Sequence, residues 1–259
     1  MNAPALILSN LAIGYAHGKS KHQIVDVINT SLYSGELVSL VGLNGAGKST
    51  LLRTISAFQP PLSGEIKYCG ADIRVDDASQ LSRYLAIVLT GREPIYNLSV
   101  REVVAMGRMP YTGFFGLNTE RDKQAVNEAM EMLGISALAH RMIETLSDGE
   151  RQKALIAKAV AQATPVILLD EPTAFLDFAS RVNLMLSLRT LAHNSGKAIL
   201  LSTHDLELAL RLSDRLWLMD KKQMYAGSVE ELSQSGALAS FIDNDGIRYD
   251  AQEHKIVIY

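Results

Sequence analysis

Two stretches of this 259-residue chain place small residues where anions bind. The first is Gly42-Leu43-Asn44-Gly45-Ala46-Gly47-Lys48-Ser49, which matches G-x-x-x-x-G-K-[ST] and runs on into Thr50. Glycines in such a run let successive backbone N–H groups turn inward around a β-phosphate. Lys48 then reaches the β and γ oxygens, and the Ser49 hydroxyl ligates Mg²⁺. A Gly-rich loop that only makes a turn is the bland alternative. The flanks argue against it, with an apolar strand ("ELVSLV") before and a helix ("KSTLLRTISAF") after. The second stretch is "LSDGERQKA", residues 146–154, a small-residue turn running straight into a helix. A helix N-terminus is itself an anion site, so the chain carries two.

Acidic and imidazole groups follow at the ends of apolar runs. In "VILLDEPT" four apolar residues bury a strand and put Asp170 at its C-terminal edge, where open α/β sheets bind ligands. Asp170 is placed to hold Mg²⁺ through its water, and Glu171 to orient and deprotonate an attacking water. In "LLSTHD", His204 lies just past another apolar strand and so reaches the same edge. The six histidines show no metal-site spacing.

The elements that must position these groups alternate. "LILSNLAIGY" and "IVDVINTSLYSGEL" read as N-terminal antiparallel strands around the turn "AHGKSKH". The helix after Lys48 runs until Pro60, Pro61 and Gly64 break it. From about 92 to 145 strands stop. "SVREVVAM" opens with a capping box, Ser99 and Glu102, and "NTERDKQAVNEAMEML" is amphipathic with Ala125, Ala129, Met132 and Leu133 on one side. Strands resume with "PVILLD" and "KAILLST", each followed by a helix, and then "DRLWLMD". Alternation of strand and helix means a mostly parallel sheet. The fold class is α/β, a core that resembles the P-loop NTPases (RecA-like), with N-terminal antiparallel strands. A helical lobe is inserted at about 92–162, and a hairpin tail occupies about 228–259, all in one domain, 1–259.

Bulk properties narrow the setting. Net charge is −3, the pI near 6.1 and the mean hydropathy +0.08, with no long Lys/Arg block. That speaks against a nucleic-acid partner. The single cysteine, Cys69, excludes an internal disulfide framework and fits a reducing compartment. There is no run of about 18 apolar residues to span a membrane and no charged signal-peptide start, so the chain reads as cytosolic.

The second anion site sits in the inserted lobe. Because that lobe projects away from the sheet edge, its turn is not expected to fold onto the chain's own P-loop. The simplest geometry is two subunits related head to tail. Each turn then presents the Ser147 hydroxyl and backbone N–H groups to the other subunit's γ-phosphate, and closure requires ATP.

"GLNGAGKST", "LSDGE", "VILLDEPT", "FLD" and His204, in this order, resemble an ATP-binding cassette (ABC) ATPase over about residues 6–227. The resemblance implies ATP and Mg²⁺ as ligands, with Tyr15 in "IGYAHG" stacking on adenine. The family's LSGGQ signature reads here as Leu146-Ser147-Asp148-Gly149-Glu150, acting in trans, and the Asp of the loop between subunits corresponds to Asp177. The family's Gln after the strand that joins core and lobe is Thr90 here, one oxygen that would touch Mg²⁺ through a water. "LSVREVVAMGRMPYTGFFG" is similar to the importer ATPases serving iron–siderophore, haem and vitamin B12 permeases, through Val100, Arg101, Glu102, Val104, Gly107, Arg108 and Pro110. Tyr111, Phe114 and Phe115 then either dock a membrane subunit or pack inside their own lobe. The implied partners are a second copy, polytopic permease subunits and, indirectly, a substrate-binding protein. The implied place is the cytoplasmic face of the inner (plasma) membrane, peripherally bound. The alternatives are a soluble ABC ATPase uncoupled from transport, disfavoured by the lack of a coiled coil, second cassette or basic groove, and the ATPase of another transporter class.

Overall fold

The glycine-rich loop grows from the middle of a six-stranded sheet ordered β5-β6-β7-β3-β8-β9. The computed structural model describes residues 3–17, 20–71, 78–91, 95–112, 119–220 and 223–259. Its central strands are β3 (Leu37–Gly42), β5 (Leu85–Val88), β6 (Val166–Leu169), β7 (Ala198–Thr203) and β8 (Arg215–Asp220), all parallel. β9 (Gln223–Gly227) closes one edge antiparallel to β8. Both faces of β3, β6 and β7 are buried, which is why they read as unbroken apolar runs rather than alternating ones.

Successive residues of these strands feed two different cores. Val38, Leu40, Leu168 and Leu200 pack toward a second, three-stranded sheet and helix α1 (Lys48–Ile55). That second sheet is antiparallel, ordered β2-β1-β4, from β1 (Pro4–His17), β2 (Ser20–Tyr33) and β4 (Ser63–Tyr68). Leu37, Ile167, Leu169, Ile199 and Leu201 pack toward the opposite face. There they meet α3 (Val100–Ala105), α4 (Glu120–Met132), α5 (Asp148–Ala161) and α6 (Phe178–Ser195). A short α2 (Ala78–Leu81) precedes β5, and α7 (Leu206–Leu212) follows β7.

Local chemistry moves two boundaries and one helix face from where the sequence puts them. Helix α1 ends at Ile55, short of Phe58, because the Ser56 hydroxyl donates to Leu52 O at 2.7 Å and Ala57 turns left-handed at φ 60°. In α4 the buried face is Asp122, Val126, Ala129 and Met130, followed by Leu133, while Met132 is half exposed. The tail is a hairpin only in β10 (Ile247–Asp250) and β11 (Lys255–Ile258). Residues 229–242 instead form α8 (Val229–Gln234) and α9 (Ala237–Ile242), the first started by a Ser228/Glu231 capping box.

Candidate active site

The parallel register brings four strand ends to one edge. Val88 pairs with Leu169, Leu169 with Leu201, and Val41 with Thr203. Thr90, Asp170, His204 and the loop after Gly42 therefore emerge side by side. In the loop, Ala46 N–H donates to Leu43 O at 3.1 Å, and Gly45 and Gly47 sit at φ 82° and 105°. A Cβ on Gly42 would lie 2.7 Å from Met219 O, and one on Gly47 2.6 Å from Ile24 Cγ2, so neither position admits a side chain. Lys48 is buried and its Nζ donates back to Gly42 O at 2.7 Å. Burial pushes its pKa down, opposed by the Glu171 and Asp170 charges. Ser49 is exposed at the first turn of α1, while Thr50 is buried and shares a 3.0 Å hydrogen bond with the Tyr15 hydroxyl. Tyr15, 43% exposed, is thereby tied by its hydroxyl to the first turn of α1.

The acidic edge is held by a residue that the sequence reading passes over. Ser202, fully buried on β7, donates to Asp170 Oδ1 at 2.7 Å and accepts from Glu171 N–H at 2.8 Å. It fixes one carboxylate oxygen and the backbone of the next residue together. Glu171 is left-handed at φ 44°, a conformation that costs a non-glycine residue about 1–3 kcal/mol and persists where surroundings enforce it. Its Oε2 lies 3.7 Å from His204 Nδ1. Thr90 donates its hydroxyl to the Asp170 carbonyl at 2.7 Å, so it faces the edge with its proton already engaged. The neighbouring Arg92 and Glu93 lie outside the described residues.

The second anion turn starts α5. Ser147 caps α5, and its hydroxyl and N–H both donate to Glu150 Oε2 at 2.9 Å. Those bonds hold the Glu150 carboxyl below the usual range. A Cβ on Gly149 would come within 3.8 Å of Leu176, in the loop before α6, and 3.9 Å of Ser180 on α6. The lobe does not stand clear of the edge as expected from the sequence. Asp148, Arg151 and Gln152 of α5 line a cavity of about 30 Å³ together with Thr90, Asp170 and Glu171, the space of a water or so. Asp177 caps α6, accepting from Ser180 N–H at 2.7 Å, a bond that lowers its pKa.

A model of the ABC transporter family matches residues 25–174, from β2 through the P-loop to just beyond Glu171. The chain belongs to the ABC transporter family. It is one of that family's ATP-binding, ATP-hydrolysing subunits. This ABC ATPase is 36% identical to an achromobactin transport ATP-binding protein of Dickeya dadantii over 86% of its own length and 81% of the relative's. It is 38% identical to a cobalamin import ATP-binding protein of Halobacterium salinarum over 89% of its length, spanning 56% of that longer relative. Among solved structures it is similar to a transporter assigned to the metal-chelate type, in an inward-facing conformation. The TM-score there is 0.77 at 28% identity, covering 92% of this chain and 88% of that one.

In this ABC ATPase the importer-like run of the lobe has structural work to do. Glu102 and Ser99 form the capping box that starts α3. Arg101 Nη1 donates to Asn127 of α4 at 2.7 Å. Gly107 lets a 3₁₀ turn (Met106–Arg108) approach α5 so closely that a Cβ would sit 2.1 Å from Lys158 O. Arg108 is buried, bonded to Asp122 Oδ1 and Ala161 O, both at 2.8 Å, with its guanidinium 4.1 Å from the centre of the Tyr111 ring. Tyr111 is thus partly engaged within its own lobe, while Phe114 and Phe115 lie outside the described residues.

Proposed function

We propose that this ABC ATPase powers import of a metal chelate, an iron–siderophore, haem or cobalamin, through a membrane permease. The run of the lobe and the chelate-transporting relatives support that class. No helix among the described residues is long and apolar enough to cross a membrane, which suits a subunit held peripherally on permease subunits at the cytoplasmic face. The substrate-binding protein is then a partner at one remove.

The chemistry rests on one observation, the Asp170–Ser202–Glu171–His204 arrangement beside the P-loop. The backbone N–H groups of 42–47 cradle the β-phosphate, Lys48 takes the β and γ oxygens, and Tyr15 stacks on adenine. Ser49 hydroxyl and Asp170 carboxylate are hard oxygen donors that fit Mg²⁺, with Thr90 reaching it through a water. Bound Mg²⁺ would neutralise charge on the β and γ oxygens. Glu171 orients and deprotonates the attacking water, and His204 steadies it and the γ-phosphate. Ser147, Asp148, Gly149 and Glu150 complete the site of a second copy, with Asp177 in the loop between copies. The added carboxylates lie at the positive end of α5, which tolerates them.

Two experiments test this. Glu171→Gln should bind ATP, lose most turnover and accumulate an ATP-bound dimer on size-exclusion, because a neutral amide takes no proton; near wild-type turnover would put the base elsewhere. Purification with its permease and uptake of ferric siderophore, haem or cobalamin into vesicles tests the cargo class. Failure to associate with any polytopic subunit would move the chain to a transport-independent role.

A further inference from the structure

Arg181 stands in the first turn of α6, just past Asp177, and spans two loops. Its Nε donates to the carbonyl of Leu176 at 2.9 Å, in the loop between β6 and α6. Its Nη1 lies 3.5 Å from Asp205 Oδ2. Asp205 directly follows His204, its N–H donates to Thr203 Oγ1 at 3.0 Å, and its carboxylate caps α7 at the Leu208 N–H, 3.2 Å away. The Arg181 N–H also closes on Asp177 O at 2.9 Å. A half-exposed ion pair alone is worth little. Here it is one arm of a planar fork whose other arm is a bond to main chain, the geometry that guanidinium supplies and a single ammonium does not.

We propose that Arg181 is a positioning residue that brackets the loop of Leu176 and Asp177 to the loop of His204. When a second copy presses on the first loop, the bracket carries that displacement to the histidine and sets it over Glu171. The proposal rests on the roles given above to His204 and Asp177. Arg181 takes no part in the phosphate cradle or in holding Tyr15, so its loss should slow turnover without weakening ATP binding.

The test is steady-state ATP hydrolysis by wild type, Arg181→Ala, His204→Ala and the double variant. Arg181→Ala should lower kcat about ten-fold with KM within about two-fold, the size of effect that a small misplacement produces. The double variant should be no slower than His204→Ala, within about two-fold, because Arg181 acts through the histidine. A merely structural role would multiply the two losses, and that result overturns the proposal. Asp205→Asn keeps a capping side chain for α7 and removes only the ion pair, so it should reproduce part of the kcat loss in a protein whose helix start is intact. Full recovery in Arg181→Lys would also overturn the bracket, since one ammonium holds one loop. An unchanged rate in His204→Ala would overturn the histidine's role and the proposal with it. A slow His204→Ala beside an unchanged Arg181→Ala would overturn the bracket alone.

Discussion

Single residues at the catalytic edge differ in how much of their hydrogen-bonding capacity the protein already holds. Asp170 has one oxygen committed to Ser202, which leaves the other for an incoming ligand. Removing the Ser202 hydroxyl would strand both Asp170 Oδ1 and the Glu171 N–H. Ser202→Ala should therefore lower stability by about 1–3 kcal/mol. It should cut kcat about ten-fold with ATP affinity nearly unchanged, because the left-handed Glu171 loses its tether. Thermal melts and ATP titrations separate the two effects; a variant with wild-type kcat would show that the strained backbone holds Glu171 unaided. Asp170, Glu171 and His204 are legible in the sequence because each ends an apolar strand. Ser202 is not, because a serine inside an apolar strand looks like filler until the parallel register sets it beside Asp170. Thr90 is legible as a departure from the family pattern. Its bond to the Asp170 carbonyl depends on β5 pairing with β6, which no local pattern discloses.

Elements show the same division between local signals and pairings across the chain. The capping boxes of α3 and α5 stand in the sequence as Ser-x-x-Glu, and the one at Ser228 is the same signal in a segment that otherwise reads as tail. The face of α4 is different. Apolar periodicity puts Met132 inward, but a charged residue takes a buried position, because Asp122 meets Arg108 from the turn after α3. That pairing rotates the buried stripe onto Val126, Ala129 and Met130. Bonds from Thr119 and Arg108 pull the Asp122 carboxyl down to about 2 from 3.8. A carboxylate with a depressed folded-state pKa contributes stability that is complete above its unfolded value and is lost as pH falls through the folded one. Asp122→Asn should thus cost about 3–5 kcal/mol at neutral pH by leaving a buried guanidinium unpaired. The gap in melting temperature to wild type should narrow as pH drops from about 4 to about 2. A gap that stays constant down to pH 2 would mean that shape, not charge, makes the contact.

The whole molecule poses the question of why one chain carries two anion turns. The P-loop, Asp170, Glu171 and His204 share one edge, while Gly149 looks onto Leu176 and Ser180 and the Ser147 hydroxyl is given to its own Glu150. Under the head-to-tail dimer proposed above, a γ-phosphate brought by a second copy takes that hydroxyl in place of Glu150. In that proposed two-fold arrangement each site takes its cradle from one copy and its turn from the other. Ser147→Arg should then abolish hydrolysis while the monomer binds ATP as wild type does, since Tyr15, Lys48 and the loop glycines are untouched. Lys48→Ala should also be inactive, through the other half. Mixed in equal amounts, half of the dimers are heterodimers. Each of these holds one site with an intact Lys48 facing an intact Ser147, and one site lacking both. Activity should return to about a quarter of wild type if a single site can turn over. Loss of ATP binding by monomeric Ser147→Arg would place the turn in the chain's own site and reject the head-to-tail arrangement.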